Sequence, residues 1–169
     1  MTTETIAVLA NLALTLSVIV AVIFGIVQVM MSNRDRHERL TVEILRNFQT
    51  REFSELMVYT QTAAIPETYE KFALSPKEER VSFIQFMQQM ESLGILLSEK
   101  QIDYNLVDKT LGLFVVTTWE KYKSFILDAR QKVPDPYLSE YFQWMAEQID
   151  KRMKKNPRPP FFQSSVPLK

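Results

Sequence analysis

Leu12 to Met31 reads LALTLSVIVAVIFGIVQVMM, twenty residues without a charge. At about 1.5 Å of helical rise per residue, about 20 residues cross the roughly 30 Å hydrocarbon layer of a membrane. Only Thr15, Ser17 and Gln28 interrupt the apolar character. The core helix of a water-soluble protein normally carries a polar face, and this run has none. A secretory leader is the main rival reading. Its basic start is missing, since Glu4 is the only charge before the run. The run also exceeds the roughly 7–15 apolar residues of a leader, and no small-x-small cleavage site follows it. Residues 1–31 are therefore read as a retained transmembrane anchor.

The flanks set the expected orientation. Arg34, Arg36, Arg39 and Arg46 follow the run, and no Lys or Arg precedes it. The positive-inside rule then places the amino terminus outside and the rest of the chain in the cytoplasm, at the inner membrane of a cell. Within the run, Ala13, Ser17, Ala21 and Gly25 recur every four residues and share one helix face. In lipid, small side chains let two helices approach closely, so this line is the candidate helix–helix contact. Its partner is a second copy of the chain or another membrane protein. The same alignment also arises by chance, because small residues are common in membrane helices.

Residues 32–50 continue as a juxtamembrane helix, with Leu40, Ile44 and Phe48 as its apolar stripe. The region 51–155 reads as a helical domain. Thr50 caps a helix over REFSELMVYTQT, and a turn is expected around PETYEKFAL. SPKEE is a helix start, with Ser75 as N-cap, Pro76 in the first position and Glu78 completing a capping box. Phe83, Phe86, Met87, Met90 and Leu97 mark the buried face of that helix. Asp103 caps the next, whose stripe of Leu111, Phe114, Thr118, Tyr122, Phe125 and Ala129 runs to about Lys132. Gly112 marks a point where it bends or breaks. LFVVTTW is rich in strand formers but lies in register with helical stripes on both sides, so it reads as buried helix. A last helix is expected from Tyr137, through YFQWMAEQIDKRMKK, with Trp119 and Trp144 as core anchors. Residues 156–169 hold four prolines in fourteen residues and read as a flexible Pro-rich tail. The expected fold is all-α: one transmembrane helix, then a cytoplasmic bundle of about five helices.

The segments FMQQMESLGILLSEKQIDYNLV, Trp119–Glu120, Arg130 and YFQWMAEQI resemble an uncharacterised bacterial family over about residues 80–150. The resemblance implies a single-span membrane protein with a helical cytoplasmic domain. It implies no activity and carries over no functional residue.

Chemistry is sparse. No cysteine is present, which excludes disulfides, thiolate metal sites and a Cys nucleophile. The single histidine, His37, lies in RDRHER without ligands at metal spacing. No nucleotide-binding, metalloprotease or nucleophile-elbow motif occurs. Glu78 and Asp103 are explained as helix-start residues favoured by the helix dipole. The expected catalytic, cofactor and metal residues are none, and the protein is not expected to be an enzyme.

Charge is uneven although the total is zero. Arg51 to Glu147 carries a net −5 and Asp150 to Lys169 a net +5. Lys151, Arg152, Lys154, Lys155 and Arg158 gather in the basic part. They serve either as cations at a helix C-terminus or as a contact for anionic lipid or a partner protein. Nucleic acid fits poorly, because basic residues are few elsewhere and no recognition fold is marked. The expected role is a membrane-anchored helical interaction or scaffold protein, an accessory or self-associating subunit. The alternative is an enzyme or signal-sensing domain whose site is assembled from scattered residues of the bundle.

Overall fold

The structure is a computed structural model and describes residues 2–157. Among these residues every regular element is an α-helix: α1 (Thr3–Asn47), α2 (Arg51–Thr62), α3 (Tyr69–Ala73), α4 (Lys77–Ser98), α5 (Tyr104–Lys132) and α6 (Glu140–Lys155). The chain divides into two units, Met1–Leu40 and Thr41–Lys169. The division falls inside the segment 32–50, so the last turns of α1 belong to the second unit.

In the first unit, α1 is long and apolar enough to cross a membrane by length and composition. Every residue from Leu12 to Met31 is exposed.

The second unit is built on α4, α5 and α6, with α6 packed along both of the others. Its core is aromatic. Phe48, Phe53, Phe114, Phe86, Phe142 and Trp119 form a chain of edge-on rings, with successive centroids 4.8 to 6.0 Å apart. A second cluster joins Phe72, Phe83 and Phe125 at 5.2–5.3 Å, with Tyr122 against Phe83. Such pairs contribute roughly 0.5–1.5 kcal/mol each beyond the area they bury. Trp119 is fully buried, whereas Trp144 is only half-buried.

Local caps account for two helix starts. The Thr50 hydroxyl accepts from the Phe53 amide at 3.2 Å, and Asp103 Oδ1 accepts from the Leu106 amide at 2.8 Å. The turn expected around PETYEKFAL contains the short helix α3, capped by Thr68. This moves the start of α4. The Ser75 amide is used to close the end of α3 on the Phe72 carbonyl at 3.0 Å. The Ser75 hydroxyl also turns back, toward the Lys71 carbonyl at 3.5 Å, and Pro76, not Ser75, is the N-cap of α4, without a side-chain cap bond.

The last helix also begins later than expected, at Glu140 instead of Tyr137. Residues 135–138 are held as a turn, with the Tyr137 amide on Asp135 Oδ1 at 3.0 Å. Ser139 then takes a left-handed conformation, φ 60°, and makes no side-chain cap bond.

Gly112 does not break α5, which runs on to Lys132. It serves approach instead: an added Cβ would lie 3.3 Å from Ile149 and 3.2 Å from Met153. Gly94 does the same more severely between α4 and α6. A Cβ there would lie 2.6 Å from the Tyr141 carbonyl carbon and would strike its oxygen.

Candidate interaction surfaces

Ala13, Ser17, Ala21 and Gly25 all lie exposed on α1. Nothing stands within 4 Å of a Cβ built on Gly25, so this end of the line is open. The Ser17 hydroxyl donates to the Ala13 carbonyl at 2.8 Å, one turn back on the same helix. Its donor is thus satisfied without a partner, and the oxygen retains a lone pair toward the surface.

The four basic residues at the end of α6 do not act alike. Arg152 reaches back to α5. Its Nη2 donates to Asn105 Oδ1 at 2.7 Å, its Nε lies 3.7 Å from Asp108 Oδ2, and its guanidinium covers the Tyr104 ring. Lys154 pairs with Asp150 at 2.6 Å on its own helix. Lys151 and Lys155 are exposed and have no ion-pair partner among the described residues. The cluster is therefore half committed to packing and half available. Arg158 and the Pro-rich tail expected over 156–169 lie outside the described residues from position 158 onward.

Two crevices of about 350 Å³ flank α4. One is apolar, walled by Phe72, Phe83, Met87, Phe125 and Ile126, with Gln88 and Glu91 on its α4 side. The other is rich in amides, formed by Asn47, Gln85, Gln88, Gln89 and Ser92 beside Ile44 and Phe48. Gln89 Oε1 is buried without a hydrogen-bond partner among the described residues. A third crevice, of about 600 Å³, lies beside Asp108, Leu113, Arg152 and Met153. No group of three or more His, Cys, Asp or Glu that could hold a metal occurs among the described residues.

Four charged side chains to which the sequence reading assigns no structural role hold the bundle together. Lys121 Nζ, on α5, donates to the carbonyls of Thr60, Gln61 and Ala63 at 2.7–3.0 Å. Those are the orphan carbonyls of the end of α2, whose last turn carries no cation. Asp128 accepts from the Tyr69 amide at the start of α3 at 2.9 Å. Arg130 holds the loop before α6, donating to the Leu138 carbonyl at 2.8 Å and Gln143 Oε1 at 2.7 Å. Glu91 caps α6. A sequence signal existed for one of them: α2 ends without a cation in its last turn.

One family profile, described as a domain of unknown function, matches residues 15–149. The chain belongs to the DUF4760 family. The DUF4760 match begins inside the apolar run of α1 and ends in α6, so it covers more than the 80–150 segment on which the resemblance rested. No curated protein and no solved structure matches the chain.

Proposed function

We propose that this DUF4760 protein is a membrane-anchored helical interaction or scaffold protein, an accessory or self-associating subunit. It sits at the inner membrane of a bacterial cell with its amino terminus outside and its helical unit in the cytoplasm. The observation that carries this reading is α1. Twenty consecutive uncharged residues are exposed on every side. Leaving each Leu, Ile, Val or Phe in water costs about 1.5–3 kcal/mol relative to burial, so this surface requires lipid or protein around it. The family match includes the run from Thr15 onward, which favours a retained helix over a removed leader. The arginines after Met31 support the orientation.

The test is topological. With Thr3→Cys, the full chain should react with an impermeant thiol reagent on intact cells, and with Lys151→Cys it should react only after lysis. The chain should stay in the membrane pellet at alkaline pH. The opposite labelling pattern overturns the orientation, and release into the supernatant overturns the anchor.

A ligand-sensing alternative draws on the apolar crevice beside Phe72 and Phe83, whose volume is at the small end of the roughly 300–1,000 Å³ range of ligand pockets. Saturable uptake of an apolar probe, blocked by Met87→Trp, would favour it.

A further inference from the structure

The exposed face of α4 has an order that its packing inside the chain does not explain. Val81, Ile84, Gln88, Ser92 and Ile95 are all exposed, with Val81 at 49% and Ile84 at 48%. At 3.6 residues per turn they form one stripe. Lys77 and Glu99 extend the same stripe at its two ends, and both are exposed. The spacings, 4, 3, 4, 4, 3, 4, read identically from either end, with Gln88 at the centre. Between Val81 and Ser98 the only charged side chain of α4 is Glu91, and its carboxylate is engaged by the backbone of α6.

We infer that this stripe is the contact between two copies of the chain, packed antiparallel about a two-fold axis at Gln88. The inference rests on the self-associating form of the proposed function and assigns the surface. In a two-fold interface, residue i meets j and j meets i. An antiparallel pairing centred on Gln88 sets Val81 against Ile95 of the second copy and Ile84 against Ser92. Gln88 meets Gln88, and two amides satisfy each other because each carries both donor and acceptor. Charge selects the direction. Antiparallel packing sets Lys77 against Glu99 of the second copy, twice by symmetry. Parallel packing would set Lys77 against Lys77 and Glu99 against Glu99. Depletion of charge at the centre with charges at the rim is the ordinary composition of a protein interface. The crevices on either side of Gln88 widen the contact beyond one helix, since side chains flanking the stripe of the second copy can enter them. A single polar residue within an apolar helix seam is also a device that specifies register in parallel helix pairs.

The chain has no cysteine, so introduced ones report cleanly. The experiment is disulfide cross-linking of the full chain in phosphatidylcholine vesicles under mild oxidation. Gln88→Cys should give a linked dimer. Val81→Cys alone should not, whereas Val81→Cys with Ile95→Cys in one chain should. Lys77→Glu added to Gln88→Cys should reduce the linked band, and Glu99→Lys added to that should restore it. Leu113→Cys, 68% exposed on α5, is the collision control. Linking of Val81→Cys or Leu113→Cys as fast as Gln88→Cys overturns the two-fold register. Linking through Ala21→Cys with none through Gln88→Cys overturns this inference and leaves self-association through the anchor standing. In native membranes, a Gln88→Cys chain that links only to a different protein overturns the two-fold pairing and gives the face to that protein.

Discussion

The carboxylate of Glu91 accepts a hydrogen bond from the backbone amide of Phe142 at 2.9 Å, across fifty-one positions of sequence. Its other oxygen takes the Tyr141 amide at 3.2 Å. These are amides of the first turn of α6, which no residue of α6 itself satisfies. An anionic acceptor at this end of a helix is also favoured by the macrodipole. One glutamate thus fixes the direction in which α6 leaves its loop, and with it the close α4–α6 approach at Gly94.

Glu91→Ala should lower the unfolding free energy by about 2–3 kcal/mol, since hydrogen bonds to charged groups are worth about 1.5–3 kcal/mol. Glu91→Gln, which keeps one carbonyl oxygen, should cost less. Denaturant unfolding gives the totals. Amide exchange should quicken first at Tyr141 and Phe142, and unchanged exchange there would refute the capping role.

Lys121→Met should cost about 2 kcal/mol by stranding three carbonyls at the end of α2. Lys121→Arg should recover part of this. The unfolding midpoint of each variant against the parent decides the matter, and equal midpoints for Met and parent would show the clamp to be idle.

Tyr122 supplies a pH dependence. Its hydroxyl donates to the Thr60 carbonyl at 3.1 Å, and the ring is buried. Burial, with Tyr59 adding to it, pushes its pKa from 10.0 up to about 12. The folded state therefore holds this proton where the unfolded chain releases it. The associated stability is complete below pH 10 and is lost as pH rises toward about 12. Tyr122→Phe should flatten the alkaline fall of stability measured by denaturant titration between those limits. An identical slope in both proteins would exclude Tyr122 as its source.

Ser17→Leu or Ala21→Leu should weaken association of α1 by blocking close approach, since helices in lipid associate largely through the packing that small residues allow. Val18→Leu, off the line, should leave it intact. A membrane association assay with all three variants reads the difference, and equal behaviour would reduce the alignment to chance.

Lys151 and Lys155 should govern attraction to anionic vesicles, at about 1 kcal/mol per cation near the surface. Changing both to Gln in the Thr41–Lys169 unit should reduce binding and its salt dependence. Arg152→Gln should instead lower stability by up to about 1 kcal/mol, because its guanidinium is held against α5. Loss of lipid binding from Arg152→Gln alone would reverse this division of roles.

What depends on near neighbours is legible in the chain of residues alone. An uncharged run of twenty residues dictates a membrane-length helix. Thr50 and Asp103 announce α2 and α5 because each caps an amide three residues away. The periodic stripes locate Phe83, Phe86, Tyr122 and Phe125 in the core, because burial follows the helical period. Whatever joins distant positions depends on how the helices pack. The helix starts expected at Ser75 and Tyr137 both shift. Closure of α3 took the first, and the turn at Asp135 with the Arg130 clamp took the second. Arg152 and Lys155 are alike on paper. They differ because Asn105 and Asp108 of α5 lie beside one of them. The face that α4 leaves open is likewise set by α6 covering Gly94 on its other side. Local hydrogen bonds and helical period are written in adjacent residues, whereas the partner of Glu91, Lys121 or Arg152 exists only once the helices have packed.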